Sequence, residues 1–253
     1  MKLDDIKKLH KKKGRKDLGC FLVEGEHLIL ELEKAAKAIP AFRQAKVYVS
    51  ESYGDVATSL EQVRITDRQM QKIADTQTPQ GILAVVPFPS AERLPAPCAS
   101  EGETSQEKTI YLYEVQDPGN LGTILRTLAW FGGFRCVLSP NSVDPYNPKV
   151  VRASMGAIFH LPIELDVSID ELKTRFDHFA CLDIAGAPLS SEGFTREQCF
   201  IFGNEARGVP HDELAGLDVT AYSIPGAGVL ESLNLATAVN MCCLLYTSPS
   251  PRD

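Results

Sequence analysis

The chain has 253 residues, 44% hydrophobic and 23% charged, with 33 acidic against 26 basic side chains and a formal net charge of −7. That length accommodates two domains, and the composition is that of a soluble globular protein. No apolar run reaches the ~18 residues of a membrane span, and the basic N-terminus lacks the apolar core and cleavage site of a secretory signal.

Charge is unevenly spread. Lys2, Lys7, Lys8, Lys11, Lys12, Lys13, Arg15 and Lys16 crowd the first sixteen residues against Asp4 and Asp5. A local basic cluster of this kind suffices for phosphate contacts even in an acidic protein. Seven cysteines (Cys20, Cys98, Cys136, Cys181, Cys199, Cys242, Cys243) form no C-x-x-C pair, which excludes zinc-ribbon and thioredoxin patterns. Their odd number and apolar neighbours predict reduced, buried thiols in a cytoplasmic protein.

In chain order, residues 1–88 read as a first α/β unit. A short helix around Leu3–His10 runs into a basic loop at Gly14. Cys20–Val23 is a strand, and Leu28, Ile29, Leu32, Ala35 and Ala36 recur at helical spacing up to Pro40, which ends the helix. Ala45–Ser50 is a strand, Asp67–Ala74 a helix capped by Thr66 or Asp67, and Gly81–Pro87 an apolar strand. Residues 89–108, rich in proline and small polar residues, read as a linker. A second domain, 109–246, alternates strands (Thr109–Val115, Arg135–Leu138, Leu161–Glu164, Phe179–Asp183, Cys199–Gly203, Ala221–Ile224) with helices at Leu121–Phe131, Asp170–Phe176 and Ser232–Leu245. Between them Asn147, Pro148, Lys149 and Arg152 sit on a predicted loop, and Ser154–Phe159 is short helix or loop. The two prolines of the tail, 247–253, break the last helix, and the tail is expected to be non-native.

Three glycine-rich segments each follow a strand: Asp117-Pro-Gly-Asn-Leu-Gly-Thr-Ile-Leu-Arg126, Phe202-Gly-Asn-Glu-Ala-Arg-Gly-Val-Pro210 and Ile224-Pro-Gly-Ala-Gly-Val-Leu-Glu-Ser-Leu-Asn234. Glycine lets each loop turn sharply and approach a ligand, so the three together predict one site at a sheet edge. The patterns N-x-G-x-I-x-R, F-G-N-E-x-x-G and I-P-x-x-G-x-x-E-S-L-N resemble the three motifs of the SpoU/TrmH branch of the SPOUT superfamily, RNA ribose 2′-O-methyltransferases, over about residues 108–246. The stretch R-K-D-x-G-x-F-L-V-E-G-E-H-L and the later T-x-x-x-Q-G-I-L-A-V resemble the RNA-binding domain that many of these enzymes carry before the catalytic half.

The resemblance implies an α/β fold with a parallel sheet and a C-terminal trefoil knot, S-adenosylmethionine (AdoMet) as methyl donor, a homodimer and no metal. It implies catalytic positions at Asn120, Arg126, Glu205, Ser232 and Asn234, with the backbone at Gly203, Ile224 and Leu233, and Asn234, holding AdoMet. Arginine stays protonated, so Arg126 is expected to act electrostatically on a developing alkoxide and a phosphate rather than as a base. Lys11, Lys12, Lys13, Arg15 and Lys16, with Lys149 and Arg152 of the Asn147–Gly156 segment, are expected to contact RNA phosphates. His10, His27, His160, His178 and His211 have no metal-ligand spacing. The two-domain layout favours ribosomal RNA over tRNA. The alternatives are a catalytically inactive RNA-binding protein of the same fold and a dinucleotide enzyme, the latter disfavoured because P-G-N-L-G lacks G-x-G-x-x-G.

Overall fold

The computed structural model describes residues 1–89, 107–191 and 193–247. The 89–108 linker therefore lies almost wholly outside the described residues, as does the tail beyond Thr247. The elements in order are α1 (Leu3–Lys8), α2 (Lys12–Leu18), β1 (Cys20–Glu24), α3 (Glu26–Ala38), β2 (Lys46–Ser50), β3 (Glu61–Ile65), α4 (Asp67–Ile73), β4 (Ile82–Pro87), β5 (Lys108–Leu112), α5 (Pro118–Phe131), β6 (Phe134–Leu138), α6 (Pro148–Ala153), β7 (Ile163–Glu164), α7 (Ile169–Leu172), β8 (Phe179–Pro188), β9 (Cys199–Phe202), α8 (His211–Leu214), β10 (Val219–Ser223) and α9 (Leu235–Thr247), with three short 3-10 turns. Among the described residues no helix is long and apolar enough to cross a membrane.

The first compact unit gathers residues 1–89 with Asp144–His160. Its sheet runs β1-β4-β2-β3, antiparallel except for the parallel β2–β3 pair. Alternation along the strands sends side chains to opposite faces. Leu22, Tyr48, Leu83 and Val85 join Ile6 and Leu9, and Met70 and Ile73, in one core. Phe21 faces the other way, packing against the tilted ring of Tyr146 at 4.8 Å between ring centroids, while Phe42 meets Phe159 edge-on at 5.6 Å. Residues 144–160, which the sequence counts with the 109–246 domain, are thus packed through aromatic contacts in the first unit.

Two segments read as loops are helical. Lys12–Leu18 forms α2 and is closed by Gly19 in the left-handed conformation (φ 63°), a glycine C-cap. Pro148–Ala153 forms α6, with Pro148 in the first turn and the Asn147 side chain accepting from the Lys149 N–H at 2.9 Å, a strong start signal. Strand β3 has no counterpart among the strands that the sequence predicts. Its residues are mostly exposed, so as an edge strand it lacks the apolar signature of its neighbours.

Arg15 requires a correction. It was expected to meet RNA phosphate, but it is only 2% exposed. Its Nε and Nη2 donate to Asp144 Oδ2 at 2.9 and 2.6 Å, and its Nη1 donates to the Leu9 carbonyl at 2.8 Å. The guanidinium is spent inside the unit, because a buried charge persists only when paired. Lys11, Lys12, Lys13 and Lys16 remain exposed.

The second unit holds six strands in the order β10-β8-β9-β5-β6-β7, every pairing parallel. A parallel sheet covered on both faces needs continuous apolar strands. Accordingly every residue of β5 (KTIYL) and β9 (CFIF) is buried. Tyr111, Val137, Phe179, Cys181, Cys199 and Ile201 form the core with Ile169 and Leu172 of α7 and Leu214 of α8, and the Tyr111 hydroxyl donates to the Val167 carbonyl at 2.9 Å. Burial pushes the Tyr111 hydroxyl far above the ordinary tyrosine range. Helices α5 and α9 are joined by the side chains of Thr127 and Asn240.

Candidate active site

Strands β5, β9 and β10 end at the same edge of the second sheet, and their following loops carry the three motifs. The β5 loop leads into α5, whose start is built from local chemistry: the Asp117 side chain accepts from the Asn120 N–H at 2.7 Å, and Pro118 occupies the first turn. An Asp cap followed by proline is a helix-start signal, and it puts the beginning of α5 three residues before the sequence placed it. Helix α9 begins at Leu235, not Ser232. Its cap is Asn234, whose Oδ1 accepts from the Thr237 N–H at 3.2 Å.

Glu205 ties the first two loops together. Its carboxylate accepts from the backbone N–H groups of Gln116 (3.1 Å) and Asp117 (3.1 Å) and from Asn120 Nδ2 (3.3 Å). Asn120 then accepts, through Oδ1, from Asn234 Nδ2 at 2.8 Å. Three of the expected catalytic residues therefore form one chain, Glu205–Asn120–Asn234, with one member from each motif. The chain also fixes which way both amides point. Asn120 must turn Nδ2 to the carboxylate and Oδ1 to Asn234, and Asn234 must turn Oδ1 to its own helix.

The remaining expected residues stand apart from that chain. Arg126 is exposed on α5, and no hydrogen bond or ion pair engages it among the described residues. Ser232 is exposed and likewise makes no hydrogen bond among the described residues, and the cap of α9 is Asn234. Residues 224–233, including Ile224 and Leu233, make no hydrogen bonds among the described residues. The loop thus presents free backbone donors and acceptors, and Val229 and Leu230 are 85% and 80% exposed. Gly203 occupies a tight crossing: a Cβ there would lie 2.1 Å from the Gly208 carbonyl carbon. Only glycine fits.

The sequence reading missed a second knot of contacts around Glu114. This residue is non-glycine yet has φ +47°, a conformation that costs energy unless its surroundings enforce it. Its N–H donates to Ser139 Oγ at 2.7 Å, and its carbonyl accepts from Asn204 Nδ2 (2.7 Å) and Gln116 Nε2 (2.9 Å). Its carboxylate pairs with Arg207. Asn204 Oδ1 accepts from the Ala206 and Arg207 N–H groups at 2.9 and 3.1 Å, shaping the turn that carries Glu205. Nothing in the sequence marks Glu114, since its importance lies in backbone geometry. Beside it, a hydrogen bond to Glu213, with burial adding to it, pushes Tyr113 up to about 12.

In the first unit, Lys149 is exposed. Arg152 Nη1 pairs with Asp75 Oδ2 at 2.8 Å, and His10 Nδ1 meets the other oxygen of Asp75 at 3.2 Å. Among the described residues no group of three or more His, Cys, Asp or Glu side chains could hold a metal.

Residues 107–244 match the SpoU rRNA methylase family, and residues 2–84 match the MRM3-like substrate-binding domain. The chain is an enzyme of the SpoU rRNA methylase family. It is 33% identical to the Bacillus subtilis 23S rRNA (guanosine(2553)-2′-O)-methyltransferase RlmP, with 94% of this chain and 92% of that one covered. Among solved structures it resembles a protein of the TrmH family of RNA methyltransferases from Porphyromonas gingivalis (28% identity, TM-score 0.76, 96% of both chains). It shares its fold with an AdoMet-bound rRNA methyltransferase from Sinorhizobium meliloti (24% identity, TM-score 0.74, 96% of this chain and 92% of that one).

Proposed function

We infer that this chain transfers a methyl group from AdoMet to a ribose 2′-hydroxyl of ribosomal RNA. The observation that carries the reading is the Glu205–Asn120–Asn234 chain, which draws the three motif loops together at the carboxyl ends of a parallel sheet, where ligands bind in open α/β folds. The 23S rRNA named for the Bacillus relative favours ribosomal RNA over tRNA.

The residues present fit AdoMet. The loop 224–233 offers unpaired backbone groups to a nucleoside and exposed apolar side chains to its uncharged parts. The Arg207 charge in the second motif loop is neutralised by Glu114, so it does not oppose a sulfonium. Gly203, Ile224, Leu233 and Asn234 are the residues that would hold the cofactor. AdoMet supplies a methyl group on a sulfonium leaving group.

The protein's task is then to align the acceptor and stabilise its oxygen. Arg126 carries an exposed guanidinium with no internal partner, so its charge is available to an RNA phosphate and to the 2′ oxygen as negative charge develops there. Asn120 and Asn234 present amides of fixed orientation, Glu205 holds the loop, and Ser232 adds a free hydroxyl. Lys11, Lys12, Lys13, Lys16 and Lys149 supply phosphate contacts, and Arg152 does so when released from Asp75. A C-terminal trefoil knot belongs to the same reading, by the family the chain belongs to. Trp130 on α5, 82% exposed, and Met241 on α9 support pairing with a second copy through these helices. Buried, unpaired thiols suit a cytoplasmic setting.

The test is incubation of the full chain with tritiated AdoMet and deproteinised Bacillus subtilis 23S rRNA lacking its native 2′-O-methyls. Label should appear in alkali-resistant dinucleotides, because a 2′-O-methyl blocks hydrolysis of the following phosphodiester. Label confined to bases, or no transfer, would overturn the reading.

A further inference from the structure

We propose that the groove between α1, α4 and β3 is a second phosphate-binding site for RNA, with Lys7 and Lys72 as its clamps and Lys2 at its rim. The proposal rests on the reading of the chain as an RNA methyltransferase but concerns a groove that neither the motifs nor α2 includes, joining Lys2 and Lys7 of the basic N-terminus to Lys72 of α4.

The groove is open to solvent, has a volume of about 520 Å³ and is lined by both lysines, Lys2, Gln69 and Tyr48. Lys7 and Lys72 project from different helices, α1 and α4, which pack on one another. Both are exposed, and neither has an ion-pair partner among the described residues. They differ in this from Lys8, Lys34 and Lys46 of the same unit, which pair with Asp5 at 2.8 Å, Glu31 at 2.7 Å and Glu61 at 2.6 Å, and share it with the exposed lysines of α2. Asp4 is the one acid on the groove wall. Arg64 also lines it, but its guanidinium is engaged by Asp55 at 3.1 Å and the Ser50 carbonyl, so it is not counted as a clamp.

A neutral donor lines the same groove. Gln69 Oε1 accepts from the Thr66 N–H at 2.9 Å within a capping box, which leaves its amide Nε2 to donate outward. The half-buried Leu3 and buried Tyr48 give the groove an apolar floor. Two unpaired ammonium groups and an amide donor over an apolar floor suit a phosphodiester with its sugar laid against the protein. An acidic peptide would satisfy the lysines equally. RNA is favoured because α1 also packs on α2, whose exposed Lys12, Lys13 and Lys16 extend the same basic surface, as a continuous polyanion requires.

The experiment measures binding of the full chain to a fluorescein-labelled 20-nucleotide uridine RNA by anisotropy from 50 to 300 mM salt. Each phosphate contact to single-stranded RNA contributes about 0.7 to the slope of log K against log salt. The Lys7→Gln/Lys72→Gln double variant should flatten that slope by about 1.4 with an unchanged melting temperature. Lys173→Gln, which removes a lysine already paired with Asp170 at 2.8 Å, should leave it unchanged. An unaltered slope in the double variant, an equal change in the Lys173 control, or binding of polyglutamate in place of RNA would each overturn the site. AdoMet binding and methyl transfer by the wild-type chain report separately on the enzymatic reading. A flattened slope without methyl transfer would keep the groove and reject the enzyme.

Discussion

Asn120 Oδ1 accepts a hydrogen bond from Asn234 Nδ2 at 2.8 Å, joining the first turn of α5 to the cap of α9 across 114 residues of chain. Each amide serves two masters, so neither can rotate without breaking a second bond. Asn234→Asp separates the two roles. The carboxylate still caps α9, so the melting temperature should stay near wild type. Asn120 would then have to turn its only donor away from Glu205, and methyl transfer should fall. Asn234→Ala should lose the cap as well, at about 1 kcal/mol. Thermal melts beside single-turnover methylation decide it, and equal activity of the Asp variant and wild type would refute the coupling.

Arg126→Ala should leave stability within about 0.5 kcal/mol of wild type, since the side chain is exposed and unpartnered, and spare AdoMet binding. Methyl transfer should drop ~10²–10³-fold, the loss typical of one preorganised charge-stabilising group. Arg126→Lys should recover little, because an ammonium does not reproduce the planar fork. A near-wild-type rate for the alanine variant would reduce Arg126 to a surface residue.

Glu205→Gln keeps the shape of the side chain but removes the charge that accepts from two backbone N–H groups and one amide. Charge-assisted hydrogen bonds are the stronger kind. Amide exchange at Gln116 and Asp117 should therefore accelerate in the variant while strand amides such as Ile110 stay protected. Hydrogen exchange read by NMR checks this, and unchanged protection at both loop positions would show that Glu205 does not hold the loop.

Arg15 and the neighbouring lysines should behave as opposites. Arg15→Gln strands the nearly buried Asp144 carboxylate, and breaking a buried pair costs about 3–5 kcal/mol. Lys12→Gln/Lys13→Gln/Lys16→Gln should melt like wild type but bind RNA with a shallower salt dependence. A cooperative melt for Arg15→Gln matching wild type would mean that the ion pair contributes nothing to the unit.

Asp75 sets a pH dependence. Burial alone would raise its pKa, but hydrogen bonds from Arg152 and His10, with their charges, outweigh burial and hold it below the ordinary value of 3.8. A depressed folded-state pKa contributes stability that is fully present above 3.8 and is lost as pH falls through the lowered value. The Asp75→Asn variant should therefore be less stable than wild type at pH 7, with the gap closing at the acid end. Urea melts from pH 7 down to pH 2.5 measure it, and a gap independent of pH would remove Asp75 as the cause.

Sequence alone determined what depends on local pattern. The apolar runs of β1, β4, β5 and β9, the helical spacing of α3 and the glycine loops after three strands were legible because strand burial, helix periodicity and loop freedom are each written in neighbouring residues. Asn120, Glu205 and Asn234 were singled out by the resemblance of the motif loops to a known family. Tertiary structure alone decided the rest. Arg15 sits among identical-looking basic neighbours, and only Asp144, 129 positions away, makes it internal. Strand β3 is polar, and it is a strand because β2 supplies its hydrogen-bond partners. Glu114 gathers Ser139, Asn204 and Arg207 through an unusual backbone angle that its residue type does not announce. Charge pairing, edge-strand formation and backbone strain are all settled by groups distant in sequence.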